Sequence, residues 1–303
     1  QQNPVQVATS NGPESQIEPE IFENPESAYI VGRGLLQADN SESQALAFLQ
    51  RAALLEPQNP EFAYWEGVGH WANGDKEGER RSYHRGLGAD PQSVPLLINL
   101  GHNYLSDKNY QEALEAYQAV LALSPDDPVA LYNSGLIYRT LGMTSDEISS
   151  WQGYLQRNRQ GAKASRAIKR LHGYGDYTFR SYRIGEQTVI VNQQRLLDDY
   201  EPAESQNAEF ADIVSALDED QWLNLEIVVF IENDREAAKE RALNMKKMIS
   251  TLSSSDVNRR VGVSWFDVPE TIRTTNADQG VALSEGLLIF SRLLTETEKE
   301  VSI

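Results

Sequence analysis

Four histidines, His70, His84, His102 and His172, are the side chains best suited to ligate a metal or move a proton near neutral pH. Their positions suit neither task, because no two have the spacing that places a ligand pair on one helix face. The chain contains no cysteine, which excludes thiolate metal sites, iron–sulfur clusters, disulfides and thiol nucleophiles together. Walker-type phosphate loops, dinucleotide-binding fingerprints and Gly-x-Ser-x-Gly elbows are absent. Carboxylates are abundant, 45 against 27 lysines and arginines, for a net charge of −18. The base-free run 201–220 reads as solvated acidic surface rather than as a general acid–base pair. So acidic a surface repels phosphate backbones, which argues against nucleic acid as a partner. The inventory predicts binding without bond-breaking, no metal and no cofactor.

A chain of 303 residues has room for about two domains. A repeat organises the first half. Pro57, Pro91 and Pro125 are evenly spaced along the chain, and the same interval separates Gly67, Gly101 and Gly135, and again Tyr83, Tyr117 and Trp151. The clearest unit reads Leu97-x-x-Leu100-Gly101-x-x-Tyr104, then Ala113-x-x-x-Tyr117, then Pro125. Leu97, Leu100, Gly101 and Tyr104 share one helical face. Ala113, Leu114, Tyr117 and Leu121 form the facing stripe, and 107–109 make the turn. Pro125 closes the unit because it cannot continue a helix.

This interval and signature resemble those of tetratricopeptide-repeat (TPR) proteins, whose unit is a helix–turn–helix. Four units are expected between residues 26 and 161. The second departs at Glu66, His70 and Glu79, and the fourth at Ser134 and Glu147. In the first, Gly32 and Gly34 straddle the expected glycine. A capping helix is expected over 160–172, with Ala164, Ala167, Ile168 and Leu171 covering the last repeat. The resemblance implies that the first helix of each unit lines a groove for another protein or an extended peptide. The inward residues would be Tyr64, Trp65, Val68 and Trp71, then Ile98, Asn99, His102 and Leu105, then Tyr132, Asn133, Leu136 and Arg139. That surface is aromatic and amide-rich with one base, unlike the family's carboxylate-clamping subtype. The stretch 148–175 has no acid and six bases, Arg157, Arg159, Lys163, Arg166, Lys169 and Arg170. It is either a solvated capping-helix face or a basic patch for an acidic partner, for the acidic C-terminal domain, or for anionic lipid.

From residue 174 the period stops and strand signals begin. Runs at 177–184 and 187–192 around Gly185-Glu186 predict a hairpin. A helix follows over 208–217, then an apolar run, 225–231, typical of a buried central strand. A long helix is expected over 235–252, with strands over 261–268 and 287–290. The fold class is therefore a TPR helix-pair solenoid followed by a small α/β domain of one mixed sheet with helices packed on it. The order of the second domain resembles the OmpA-like domain of bacterial envelopes, which implies peptidoglycan as a ligand. Asp234 and Arg241 are the only residues that could carry over its contacts, since the turn after the central strand reads Phe230-Ile231-Glu232-Asn233-Asp234. A fold kept without that ligand loop is the other expectation.

Residues 1–25 contain four prolines and little apolar periodicity, as expected of a tether. The start at Gln1 suggests a processed or trimmed chain, either a tether behind a removed or lipidated terminus or a plain disordered tail. The expected organisation is 1–25 tether, 26–173 repeats with cap, 174–292 α/β domain and 293–303 tail. The two resemblances together imply a bacterial-envelope interaction scaffold, such as a pilus, secretion or outer-membrane assembly lipoprotein. Its expected location is periplasmic with a lipid anchor, with the cytoplasm as the alternative.

Overall fold

The computed structural model describes residues 18–38, 41–198, 200–201, 203–255, 257–272 and 280–295. Most of the expected tether and tail lies outside them. The chain divides into two compact units, Gln1–Leu123 and Ser124–Ile303.

Helix pairs fill the first unit: α1 (Pro25–Leu35) with α2 (Glu42–Leu55), α3 (Pro60–Ala72) with α4 (Lys76–Ala89), and α5 (Val94–Ser106) with α6 (Tyr110–Leu123). The second unit continues the pattern in sequence with α7 (Pro128–Leu141), α8 (Thr144–Arg157) and α9 (Gly161–Gly173). The first helices of the first, second and fourth pairs start in a similar way, whereas Ser93 before α5 makes no side-chain cap. Asn24, Asn59 and Asp127 each accept two backbone N–H bonds, and Pro25, Pro60 and Pro128 occupy the first helical position. Such caps satisfy donors that would otherwise lack a helical partner.

A glycine-to-ring seam closes each of the later pairs. A methyl group on Gly67 would stand 2.2 Å from the Tyr83 ring, on Gly101 2.7 Å from Tyr117, and on Gly135 3.0 Å from Trp151. The three fully buried rings lie where only hydrogen leaves room. In the first pair Gly32 does the same against Leu49, at 2.7 Å, while Gly34 meets nothing. The N-caps fall at Asn24, Asn59, Ser93 and Asp127, and the step from the first to the second is one position longer than the two that follow. The extra position is taken up in the inter-helix connection of the first pair, and that displaces its glycine from the register.

In the second unit, β1 (Phe179–Ile184) and β2 (Gln187–Asn192) form the expected hairpin, with Gly185 at φ 57° in the turn. A short helix α10 (Gln193–Leu197) and α11 (Ala203–Glu219) follow, then β3 (Leu223–Ile231), α12 (Arg235–Leu252) and β4 (Val261–Phe266). A small ribbon, β5 (Glu270–Ile272) with β6 (Val281–Leu283), precedes β7 (Glu285–Leu293). The main sheet runs β4-β3-β7, with β4 parallel and β7 antiparallel to β3. β1 lies beside β7, where Tyr182 donates its hydroxyl to Leu287 O and Ser291 Oγ donates to Arg183 O at 2.7 Å.

Helices cover one face of this sheet. Phe210, Ile213 and Leu217 of α11 and Ala238, Ala242, Met245 and Ile249 of α12 share a core with Leu225, Ile227 and Val229. β3 is therefore not buried on both faces, as its apolar run predicts. Glu226 and Val228 are half-buried on the other side, and Phe290 of β7 is 57% exposed there. α10 and the β5–β6 ribbon are too short and too weakly patterned to announce themselves in the sequence.

The contact boundary at Leu123/Ser124 differs from the expected one after residue 173. Within the second unit, polar bonds tie the last helices to the residues that follow them. Arg159, between α8 and α9, donates through both terminal nitrogens to Glu209 of α11, one bond being 2.7 Å. Glu209 is buried and also accepts from Asn192 N at 2.7 Å and Arg195 at 3.4 Å. His172 Nε2 donates to Phe179 O at 2.9 Å, and Gln152 to Asp176 at 2.6 Å. Glu209 thus corrects the expectation that the whole 201–220 run is solvated.

Candidate functional site

A cleft of about 480 Å³ opens in the first unit between α3, α4 and α5. Its two walls differ in chemistry. Tyr64, Val68 and Trp71 stand at i, i+4 and i+7 on α3 and make an apolar wall. Asn99, His102, Asn103 and Ser106 stand at i, i+3, i+4 and i+7 on α5 and make a polar one. Lys76, Glu79 and Tyr83 of α4 form the floor. Trp71 is 67% exposed, an unusually large indole area to leave in water.

The floor is held by a hydrogen-bonded cluster. Buried Asn103 donates to Glu79 at 2.9 Å and to Lys76 O at 3.0 Å, and accepts from Arg80 Nε at 2.8 Å. Asp107 then receives Arg80 and Lys76, each at 2.6 Å, and these two cations hold its carboxyl below the usual range. Burial pushes the Glu79 carboxyl up, while hydrogen bonds from Asn103 and Tyr83 and the charges of Arg80 and Lys76 pull it partly back. Burial and the neighbouring Glu79 also push the Tyr83 phenol upward. With Lys76 tied to Asp107 and Glu79 satisfied, the cleft offers apolar and hydrogen-bonding surface rather than a charged trap.

Five of the expected groove residues, Tyr64, Val68, Trp71, Asn99 and His102, line this cleft. Trp65 does not. It packs against Tyr29 and Tyr64 with the Arg33 guanidinium 4.5 Å from its ring centre, on the core of α1 and α2. Ile98 and Leu105 are half-buried and lie off the cleft lining. Gly74, Lys76, Glu79, Tyr83, Asn103 and Ser106 are the lining residues that sequence reasoning missed. The signal was present, since Glu79 occupies the repeat position held by Ala113.

In the second unit Tyr132 corrects the expectation of a groove side chain. It is only 4% exposed, its ring meets Trp151 and Tyr154, and Arg166 donates to its hydroxyl at 2.6 Å. Asn133 and Leu136 are half-buried and Arg139 is exposed. Two of the six bases are engaged elsewhere, Arg157 with Asp126 at 2.7 Å and Arg159 with Glu209. Ala164, Ala167, Ile168 and Leu171 are buried, as a capping helix requires. Glu147 is buried too, accepting from Trp151 Nε1 at 2.9 Å and from the Tyr174 hydroxyl at 2.6 Å. Asp234 caps α12 by accepting from Ala237 N at 2.9 Å, and Arg241 pairs with Glu285 at 3.3 Å. Arg241 lines a shallow cleft with Arg195 and Glu285, and Asp234 is not part of its lining. Among the described residues, no group of three or more His, Asp or Glu could hold a metal, and no helix is long and apolar enough to cross a membrane.

Residues 90–142 match the family model described as TPR repeat. The repeat register and the glycine-to-ring seams agree with that match, so this part of the chain carries tetratricopeptide repeats. Two curated proteins share part of it. Cellulose synthase operon protein C of Pseudomonas fluorescens (strain SBW25) is 55% identical over 49 residues, 16% of this chain and 4% of that protein. Photosystem I assembly protein Ycf3 of Synechococcus sp. (strain CC9311) is 31% identical over 87 residues, 28% of this chain and 50% of that protein. The chain thus spans half or less of the curated relatives it matches. The solved structure of MamA 41-end from Desulfovibrio magneticus RS-1 is 22% identical, with a TM-score of 0.46 over 52% of this chain and 88% of that one.

Proposed function

We propose that this protein is a non-enzymatic assembly scaffold that captures a partner polypeptide in the α3–α4–α5 cleft. The observation that carries the proposal is the pairing of an apolar wall, Tyr64-Val68-Trp71, with a polar wall, Asn99-His102-Ser106, above the buried Asn103. An extended segment can press side chains on the first and hydrogen-bond its backbone to the second. Exposed Trp and Tyr are the residue types that most often dominate binding energy. A test is panning of displayed random peptides against the whole chain. Selected peptides should lose at least tenfold in affinity for Trp71→Ala and for Tyr64→Ala, with helical circular dichroism unchanged. Undiminished binding by both variants would refute capture at this cleft.

The finer setting is part of the same proposal: a bacterial envelope factor for pilus, secretion or outer-membrane assembly, periplasmic and lipid-anchored. It is supported by the proline-rich, aperiodic N-terminal sequence and by the hairpin, helix, strand, helix, strand order that resembles OmpA-like domains. The name of the Synechococcus relative supports only the assembly part of this reading. Peptidoglycan anchoring through Asp234 and Arg241 is the weaker part, because the first is spent as a helix cap and the second on Glu285. Co-sedimentation of the chain with purified sacculi, abolished by Arg241→Ala, would restore it.

A further inference from the structure

Helices α7 and α9 contain no aspartate or glutamate, in a chain that has 45 acids. Arg139, Lys163, Arg166, Lys169 and Arg170 are their bases. Two contacts fix which side of α9 faces α7. Arg166 donates to the Tyr132 hydroxyl at 2.6 Å, and Lys163 Nζ stands 4.9 Å from the centre of the same ring. Lys163, Arg166 and Arg170 follow at i, i+3 and i+7, so they share that side. On α7, Tyr132, Leu136 and Arg139 follow at i, i+4 and i+7, so Leu136 and Arg139 share the side whose ring α9 touches. Glu147 of α8, the partner of Tyr174, is 1% exposed and has both oxygens occupied by Trp151 and Tyr174. Its charge is therefore turned inward. Lys163, Arg166 and Arg139 are exposed, and Leu136 and Asn133 lie half-buried on α7.

We propose that this face, Leu136 and Arg139 of α7 with Lys163, Arg166 and Arg170 of α9, binds an acidic polypeptide segment of a partner. The site is distinct from the α3–α4–α5 cleft and does not rest on it. The bases from Lys163 to Arg170 span about 10 Å at 1.5 Å per helical residue. An extended chain covers that in about three residues at roughly 3.3 Å each, and alternate carboxylates project to one side. Lys163 and Arg166 lean onto a ring between two helices, which forms a row rather than the outward basic sheet that suits a lipid surface. The net charge of −18 disfavours a long polyanion, whereas a short acidic stretch meets only the local field.

The test uses a fluorescein-labelled hexaglutamate peptide and the whole chain, read by fluorescence anisotropy at low ionic strength. Saturable binding is expected, at least tenfold weaker for Lys163→Glu combined with Arg170→Glu, and unchanged for Trp71→Ala. If the double variant loses helicity, Arg139→Glu supplies the same reversal from α7. Absence of saturable binding, equal binding by the reversed variants, or binding to phosphatidylglycerol vesicles without binding to hexaglutamate would each overturn the proposal.

Discussion

At the scale of single residues, buried carboxylates are the unusual feature of this chain. Glu79 and Glu147 occupy the same repeat position two units apart, where the intervening unit has Ala113. Each is satisfied by the ring four positions on, Tyr83 or Trp151, so the substitution is accommodated by polar rings that already fill the seam. For Glu79 burial outweighs the hydrogen bonds, and its folded carboxyl titrates above the ordinary 4.5. The folded state then holds this proton to higher pH than the unfolded chain does. The contribution to stability therefore falls as pH rises from 4.5 toward the folded value. Glu79→Gln removes that slope, and its urea midpoints should decline less than the parent's across this window; parallel profiles would locate the effect elsewhere. Glu209 is different, because Arg159 and Arg195 both converge on it. Glu209→Ala leaves Arg159 facing a low-dielectric gap and should cost about 3–5 kcal/mol in urea unfolding. The Arg159→Met, Glu209→Leu double variant should cost less than the sum of its parts.

At the scale of elements, each helix pair depends on one close approach of a glycine to a buried side chain. A methyl group on Gly67 would enter the Tyr83 ring at 2.2 Å, and that ring is locked by burial. Gly67→Ala should destabilise by about 1–3 kcal/mol, the usual range for overpacking. Gly135→Ala, with 3.0 Å to Trp151, should cost distinctly less. Denaturant titration of both variants checks the order, and a reversed order would mean that the seams do not set the pairing distance. The cap residue Asn59 accepts two N–H bonds at the start of α3, so Asn59→Ala should cost about 1 kcal/mol. Because α3 carries the apolar wall of the cleft, the same change should weaken peptide capture slightly.

At the scale of the whole molecule, the sequence period and the compact units do not coincide. The repeat register runs on through Trp151, yet the contact boundary falls at Leu123. Within the second unit, Arg159, Gln152 and His172 bind α8 and α9 to residues of the α/β region. Hydrogen exchange should show α7, α8 and α9 opening together with the sheet. Arg159→Ala should raise exchange from residue 124 onward and leave α1 to α5 unaffected. Uniform deprotection of the entire chain would refute two units.

Helix existence, pairing and order were legible from the sequence because a regular period of prolines, glycines and rings leaves few ways to bury them. The hairpin at Gly185 and the α12 stripe were legible for the same reason, since turn chemistry and helical periodicity are local. Half of the cleft was legible too, through Tyr64, Val68, Trp71, Asn99 and His102 on helices whose faces the period assigns. What tertiary structure alone decided was how the polar residues are shared out. Glu209 lies buried between two arginines although it belongs to a base-free acidic run, and Tyr132 faces Trp151 rather than an open groove. Glu79 and Asn103, on different helices, meet to make one floor. Hydrogen bonds and charge pairs depend on which side chains meet in space, and spacing along the chain carries that information only within a helix.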